Sequence, residues 1–169
     1  MNIKSDNSIC IIGLGFVGLT LAVVMANKGF KIYGVEKNKS ILNNLKKKQA
    51  HFYEPGLKEN LKKIIRKKNF LLFNKIPKNK NISTYIITVG TPLNSKKKII
   101  TNFISKTAKE ISNVLKNNDM IILRSTVKIG TTKKLVFPIL KKTGKNFSLV
   151  YCPERSVEGS ALKELLELP

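Results

Sequence analysis

The residues best suited to chemistry are glycines near the start of the chain, in the run Gly13, Leu14, Gly15, Phe16, Val17, Gly18. A G-x-G-x-x-G run that follows a strand and opens a helix forms a site for the pyrophosphate of a dinucleotide. The first glycine permits a tight turn, the second lets the backbone approach the pyrophosphate, and the third lets the helix pack closely. Unpaired N–H groups at the start of the helix then face the anion. The run therefore predicts a dinucleotide-binding site.

An acidic residue, Glu36, stands 18 residues after Gly18 at the end of the next apolar run. A carboxylate at this place accepts hydrogen bonds from the adenosine ribose hydroxyls and repels the 2′-phosphate of NADP. Glu36 therefore favours NAD as the cofactor, while the neighbouring Lys37 and Lys39 keep NADP open as an alternative.

Three more polar segments follow predicted strands, namely Gly90–Pro92, Ser125–Thr126 and Pro153–Arg155. Parallel strands share one carboxyl edge, and the ligand crevice of a doubly wound sheet opens at that edge, here between the first and fourth strands. Residues as distant in sequence as Gly13 and Thr91 should therefore line one crevice. This convergence predicts an active site.

Short apolar runs alternate with longer amphipathic runs, and this rhythm must position the polar segments. Strands are predicted at Ser8–Ile12, Lys31–Glu36, Phe70–Phe73, Thr84–Val89, Met120–Leu123 and Ser148–Tyr151. Helices are predicted at Phe16–Asn27, Lys39–Lys48, Leu57–Lys67, Asn102–Lys116 and Thr131–Lys141, with a last one after Gly159. The helix from Asn102 has an apolar stripe of Phe103, Ile104, Ala108, Ile111 and Leu115. The pattern predicts one α/β domain over residues 1–169, a doubly wound, Rossmann-like parallel sheet with helices on both faces.

The 169 residues include 32 Lys and Arg against 10 Asp and Glu, which gives a net charge of +22. Such an excess suggests a nucleic-acid partner. However, 29 of the 32 basic residues are Lys, whereas proteins that read grooves or phosphates favour Arg. We interpret the Lys clusters at 46–48, 96–98 and 141–142 as solvated surface, so a nucleic-acid partner is not expected.

No apolar stretch reaches the roughly 20 residues of a membrane-spanning helix. The first strand also leads directly into the glycine run without a cleavage signal. We therefore expect a cytoplasmic protein with no membrane partner. Cys10 and Cys152 are expected to be buried free thiols, and their spacing indicates neither a disulfide framework nor a metal site. His51, the sole histidine, is expected in a surface loop.

Five motifs in the same order resemble the amino-terminal domain of the nucleotide-sugar 6-dehydrogenases, the UDP-glucose/GDP-mannose dehydrogenase family. The motifs are GLGFVGLTLAVVMANKGFKIYGVE, YEPGL, VGTPLN, RSTVKIGTT and YCPERSVEG, the last followed by ALKELLELP. The resemblance covers nearly the whole chain. It implies an NAD-dependent oxidation of the C6 alcohol of a UDP-sugar to a carboxylate in two steps, through a thiohemiacetal and a thioester on a cysteine.

The resemblance also implies roles for individual residues. The NAD contacts would come from the glycine run, including Phe16 and Val17, from Glu36, and from Gly90, Thr91, Pro92 and Thr126. Thr126 and Glu154 would be the catalytic pair that holds and activates a water. The family's nucleophilic cysteine lies far downstream, and Cys152 does not match it. The dimerisation helix and the sugar-nucleotide domain would also lie beyond Pro169, so the fragment alone is expected to be inactive and only the full-length enzyme to form a homodimer.

Arg155 follows the catalytic glutamate, where branches acting on N-acetylated hexosamine nucleotides usually carry Arg. This favours UDP-N-acetyl-D-mannosamine as the substrate, with a product used in surface polysaccharides, and places Glu154 and Arg155 near the sugar. Arg155 could equally be a structural ion-pair partner. Three alternatives stay open: a UDP-glucose dehydrogenase, another Rossmann dehydrogenase such as a hydroxyacid type, and a non-catalytic NAD-binding remnant or basic nucleic-acid-binding module.

Overall fold

The computed structural model describes residues 8–167. Its six strands are β1 (Ser8–Ile12), β2 (Lys31–Val35), β3 (Phe70–Phe73), β4 (Ile82–Ile87), β5 (Asp119–Leu123) and β6 (Phe147–Tyr151). The α-helices of the same range are α1 (Phe16–Asn27), α2 (Lys39–Lys46), α3 (Leu57–Arg66), α4 (Asn102–Ser112), α5 (Phe137–Lys141) and α6 (Ala161–Glu167), and a π-helical turn (Thr132–Val136) leads into α5. The described residues do not include residues 1–7 or Leu168–Pro169.

The strands form one parallel sheet in the order β3-β2-β1-β4-β5-β6. β1 pairs with β2 on one side and with β4 on the other, so the order of the strands reverses between β1 and β4. The two halves of the chain therefore wind away from a common centre, and the predicted doubly wound fold is confirmed. The crevice beyond the carboxyl ends of β1 and β4 is the switch point at which such sheets bind ligands.

The core lies on both faces of the sheet. Alternate residues of β1 point to opposite faces, so that Cys10 and Ile12 belong to one apolar cluster and Ile9 and Ile11 to the other. All five residues of β1 are buried. This two-sided burial explains why the strand is apolar throughout instead of alternating.

Two of the predicted helices differ from the structure for identifiable reasons. The helix from Asn102 ends at Ser112 and not at Lys116, because the Lys116 N–H donates to the Asp119 carboxylate at 2.8 Å and turns the chain toward β5. The helix predicted from Thr131 contains a π turn, in which the Phe137 N–H donates to the Thr132 carbonyl. Pro138 follows directly, and its ring would collide with the carbonyl four residues earlier in a regular α-helix, which the wider turn avoids.

The two cysteines lie in different surroundings. Cys10 is fully buried in the sheet, and burial raises the pKa of its thiol to about 12. The prediction of a buried Cys152 was wrong, because this residue is exposed. Cys152 follows β6, an edge strand that is covered only partly. Within residues 8–167, no helix has the length and apolar character needed to cross a membrane.

Candidate active site

A cleft of about 630 Å³ opens at the carboxyl edge of the sheet, at the predicted switch point. Eight of the predicted cofactor residues line it together with Glu154, namely Gly13, Gly15, Phe16, Val17, Glu36, Gly90, Thr91 and Thr126. Among the described residues, Gly18, Pro92 and Arg155 are predicted site residues that do not line this cleft. Residues that follow five strands, β1, β2, β4, β5 and β6, thus meet residues of α1 in one space, as the topology requires.

The glycine loop has the geometry that its sequence predicts. Gly13 has a φ of +96°, which a side chain rarely tolerates. A Cβ placed on Gly18 would lie 1.8 Å from the Gly13 carbonyl oxygen, so the third glycine serves packing and not ligand contact. A Cβ placed on Gly15 or Gly90 would meet no atom within 4 Å. These two glycines therefore leave open space where a bound group can approach the backbone.

Thr88, the residue that follows β4, holds the glycine loop in place. Its hydroxyl donates to the Gly13 carbonyl at 2.7 Å and lies 3.0 Å from the Ile12 carbonyl. Thr88 is buried and lines the cleft. Sequence reasoning overlooked it, although a polar residue that ends an apolar strand was the available signal.

Glu36 connects the glycine loop to the start of α2. One carboxylate oxygen accepts a hydrogen bond from the Leu14 N–H at 2.8 Å, and the other accepts one from the Asn38 N–H at 2.8 Å. A carboxylate has about four acceptor positions, so each oxygen keeps one for a further donor. The two free positions suit the two hydroxyls of a ribose. With the open space at Gly15 and Gly90, this donor and acceptor set fits the pyrophosphate and adenosine ribose of NAD.

Glu154 follows β6 and is held from two sides. The Arg124 guanidinium forms an ion pair with its Oε2 atom, with the Arg124 Nε at 3.1 Å. The backbone N–H groups of Arg155 and Ser156 donate to Oε1 at 2.8 and 2.9 Å. Burial opposes ionisation of this carboxyl, but the Ser156 and Arg155 N–H groups and Arg124 outweigh burial and lower its pKa. Glu154 is therefore an oriented, ionised carboxylate.

Thr126 lies across the cleft, in the loop after β5. Its side chain is exposed to the cleft. Its carbonyl accepts a hydrogen bond from the Thr91 hydroxyl at 2.9 Å, which joins the loops after β4 and β5. Thr126 and Glu154 line the same cleft, and a hydroxyl and a carboxylate that share a site can orient and deprotonate a water.

Arg124 is a second residue of the cleft that sequence reasoning missed. Its side chain is only 14% exposed and that of Glu154 only 10%. Its Nη1 also lies 3.3 Å from the Cys152 sulfur. The available signal was an Arg placed directly before Ser125–Thr126 in a chain that has three Arg in all.

The YEPGL motif supports the loop that carries Glu154. Glu54 is 4% exposed, and its carboxylate accepts hydrogen bonds from the Gly159 N–H at 2.7 Å and the Leu162 N–H at 3.4 Å. Through Glu54, this motif forms hydrogen bonds with residues more than 100 positions further along the chain. Its role in the described structure is to hold the far end of the Glu154 loop.

Two side chains near the cleft differ from their predicted surroundings. Phe103 was predicted in the buried stripe of α4, but it is 51% exposed on the cleft wall, because Ile104, Ala108 and Ile111 already fill the side of the helix that faces the sheet. His51 lies in a loop as predicted but is half-buried, with its ring edge against Phe52. Burial lowers the pKa of His51, and the charge of Glu36 opposes that shift.

Comparison with known proteins agrees with this geometry. Residues 7–169 match the model of the UDP-glucose/GDP-mannose dehydrogenase family, NAD binding domain. The chain belongs to this family. Membership in this family explains the glycine loop, Glu36 and the open cleft as parts of an NAD-binding domain. The cofactor of this domain is NAD.

Relatives within the family carry related names. A UDP-N-acetyl-D-mannosamine dehydrogenase of Methanococcus aeolicus is 35% identical over 167 residues, which is 97% of this chain and 37% of that protein. Among solved structures, a UDP-glucose dehydrogenase of Pyrobaculum islandicum is 27% identical with a TM-score of 0.90, over 99% of this chain and 40% of that one. The UDP-N-acetyl-mannosamine dehydrogenase of Staphylococcus aureus is 27% identical with a TM-score of 0.87, over 94% and 39%. The chain therefore spans 37–40% of the length of these proteins.

Proposed function

We propose that this chain is the cofactor-binding part of a UDP-sugar 6-dehydrogenase, with UDP-N-acetyl-D-mannosamine as the preferred substrate. The observation that carries the proposal is the placement of an oriented carboxylate, Glu154, and the hydroxyl of Thr126 in the same cleft as the glycine loop. Relatives named UDP-N-acetyl-D-mannosamine dehydrogenase, at 35% and 34% identity, support the choice of sugar. UDP-glucose is the second candidate, because a solved UDP-glucose dehydrogenase has an equally similar fold.

NAD, when bound, supplies the acceptor for the hydride that leaves the sugar carbon. The residues of this chain bind the cofactor and activate a water. The glycine loop binds the pyrophosphate through the N–H groups at the start of α1, and Glu36 binds the ribose hydroxyls. Thr126 orients a water and Glu154 accepts its proton, while Arg124 keeps Glu154 ionised and fixed in direction. The remaining length of the enzyme would supply the nucleophilic cysteine and most contacts to the sugar.

The proposed role of Glu154 is tested with the protein translated from the complete open reading frame. Glu154→Gln is expected to accumulate a covalent sugar adduct after addition of UDP-N-acetyl-D-mannosamine and NAD, because hydrolysis of the adduct is the step that needs a base. Intact-mass spectrometry measures the adduct, and absorbance of NADH measures turnover. We expect turnover to fall by about 10²- to 10⁴-fold.

The matched control is Glu59→Gln, an exposed glutamate on α3 that lies outside the cleft. It should turn over like the wild type and form no adduct. Unchanged turnover in Glu154→Gln would remove Glu154 from the mechanism. Faster turnover of UDP-glucose than of the N-acetylated sugar in the wild type would replace the first candidate substrate by the second.

The proposal also covers the location, the oligomeric state and the partners of the protein. We propose a cytoplasmic enzyme that forms a homodimer in its full-length form and has no nucleic-acid partner. The low Arg content of a strongly basic chain supports the last point.

A further inference from the structure

Lys37 lies next to Glu36, the residue expected to select NAD over NADP. It follows Glu36 directly and lines the same cleft. A cation beside the ribose is what sites for NADP use to accommodate the 2′-phosphate. A free Lys37 would therefore offset the repulsion between Glu36 and that phosphate.

In this structure, Lys37 is engaged by a residue from another part of the chain. Its ammonium group forms an ion pair and hydrogen bond with the carboxylate of Glu110, 73 residues further along. Glu110 lies on α4, three and four residues after Thr107 and Lys106, which line the cleft. Residues at this spacing share a face of a helix, so Glu110 continues the cleft-facing side of α4.

We propose that Glu110 is a cofactor-specificity residue that acts by holding Lys37. The pair neutralises the cation next to the adenosine ribose and leaves the Glu36 carboxylate to repel a 2′-phosphate. NAD lacks that phosphate, so its binding depends little on the pair. The inference rests on the proposed preference for NAD over NADP, and it assigns to α4 a role in selectivity that the glycine motif and Glu36 do not contain.

The size of the effect follows from the exposure of the pair. The Lys37 and Glu110 side chains are 53% and 36% exposed, so solvent screens their interaction. We expect the loss of Glu110 to strengthen NADP binding by about threefold to fivefold at low ionic strength. NAD binding should change by less than about twofold, and the gain for NADP should shrink in salt.

Calorimetric titration of the chain with NAD and with NADP tests the proposal in a double-mutant cycle. The proteins are the wild type, Glu110→Gln, Lys37→Gln and the double variant, with Glu59→Gln as the control for a general loss of negative charge. Glu110→Gln should strengthen NADP binding selectively. Lys37→Gln should abolish that gain in the double variant, and Glu59→Gln should leave both cofactors unchanged.

Two results would overturn the inference: equal strengthening of NAD and NADP in Glu110→Gln, or a gain for NADP that persists in the double variant. The first would make the effect a general attraction of anions, and the second would show that Glu110 does not act through Lys37. The proposed cofactor preference is tested separately by the wild type alone. A wild type that binds both cofactors equally contradicts that preference, whatever Glu110→Gln does.

Discussion

Gly18→Ala is expected to weaken NAD binding and to lose much of its stability, whereas Gly15→Ala is expected to weaken NAD binding alone. The added Cβ at Gly18 would lie 1.8 Å from the Gly13 carbonyl oxygen and 2.6 Å from the Thr88 hydroxyl. Because the nearer atom belongs to the backbone, α1 would have to move away from the loop. Overpacking of this kind costs about 3 kcal/mol, at the upper end of its usual range.

Gly15 offers a matched control in the same loop. Its φ is −67°, which alanine adopts freely, and its Cβ would enter open space. Gly15→Ala should therefore unfold in urea like the wild type, while its methyl group blocks the approach of the pyrophosphate and weakens NAD binding by at least about tenfold. Urea unfolding and calorimetry separate the two effects. A Gly18→Ala protein as stable as the wild type would contradict the packing role of the third glycine.

Arg124→Gln is expected to lower the free energy of unfolding by about 2–3 kcal/mol at neutral pH, since it leaves Glu154 charged and only 10% exposed without its ion-pair partner. Arg66→Gln, which removes an exposed Arg at the end of α3, should change it by less than about 0.5 kcal/mol. Urea unfolding of the three proteins measures the difference.

The effect of Arg124→Gln should also depend on pH in a defined direction. The folded-state pKa of Glu154 lies below its ordinary value of 4.5. A carboxyl with a lowered folded pKa contributes stability that is complete above its unfolded pKa and is lost as the pH falls through the folded value. The difference between the wild type and Arg124→Gln should therefore be largest near neutral pH and narrow below about pH 4.5. Parallel stability curves for the two proteins would show that Arg124 does not stabilise the charge of Glu154.

Backbone elements were predictable where local sequence determines them. Strand Ser8–Ile12 and helix Phe16–Asn27 have the predicted bounds, because an apolar run and a glycine turn leave few other conformations. The meeting of Gly13 and Thr91 in one cleft also follows from the sequence, since parallel strands end at one edge. The helix near Thr131 was less predictable, because its π turn depends on the relation of Pro138 to a carbonyl in the preceding turn.

The long-range contacts made by charged side chains at the site could not be predicted. Arg124 and Glu154, Lys37 and Glu110, and Glu54 and Gly159 are separated by 30, 73 and 105 residues. Each contact depends on the position of a loop or helix relative to the edge of the sheet. The periodicity of hydrophobic residues does not predict that position. Glu36 illustrates the same point: its spacing predicted a ribose contact, but its hydrogen bonds to Leu14 and Asn38 were visible only in the structure.

The cleft is expected to bind NAD with a selectivity that depends on Glu36. The most direct test is calorimetric titration of the chain, and of its Glu36→Ala variant, with NAD and with NADP. The wild type should bind NAD more tightly than NADP, and Glu36→Ala should weaken NAD binding and reduce the preference, since it removes both the ribose acceptor and the repulsion of the 2′-phosphate. Equal affinity of the wild type for the two cofactors, or no binding of NAD, would contradict this account of the cleft.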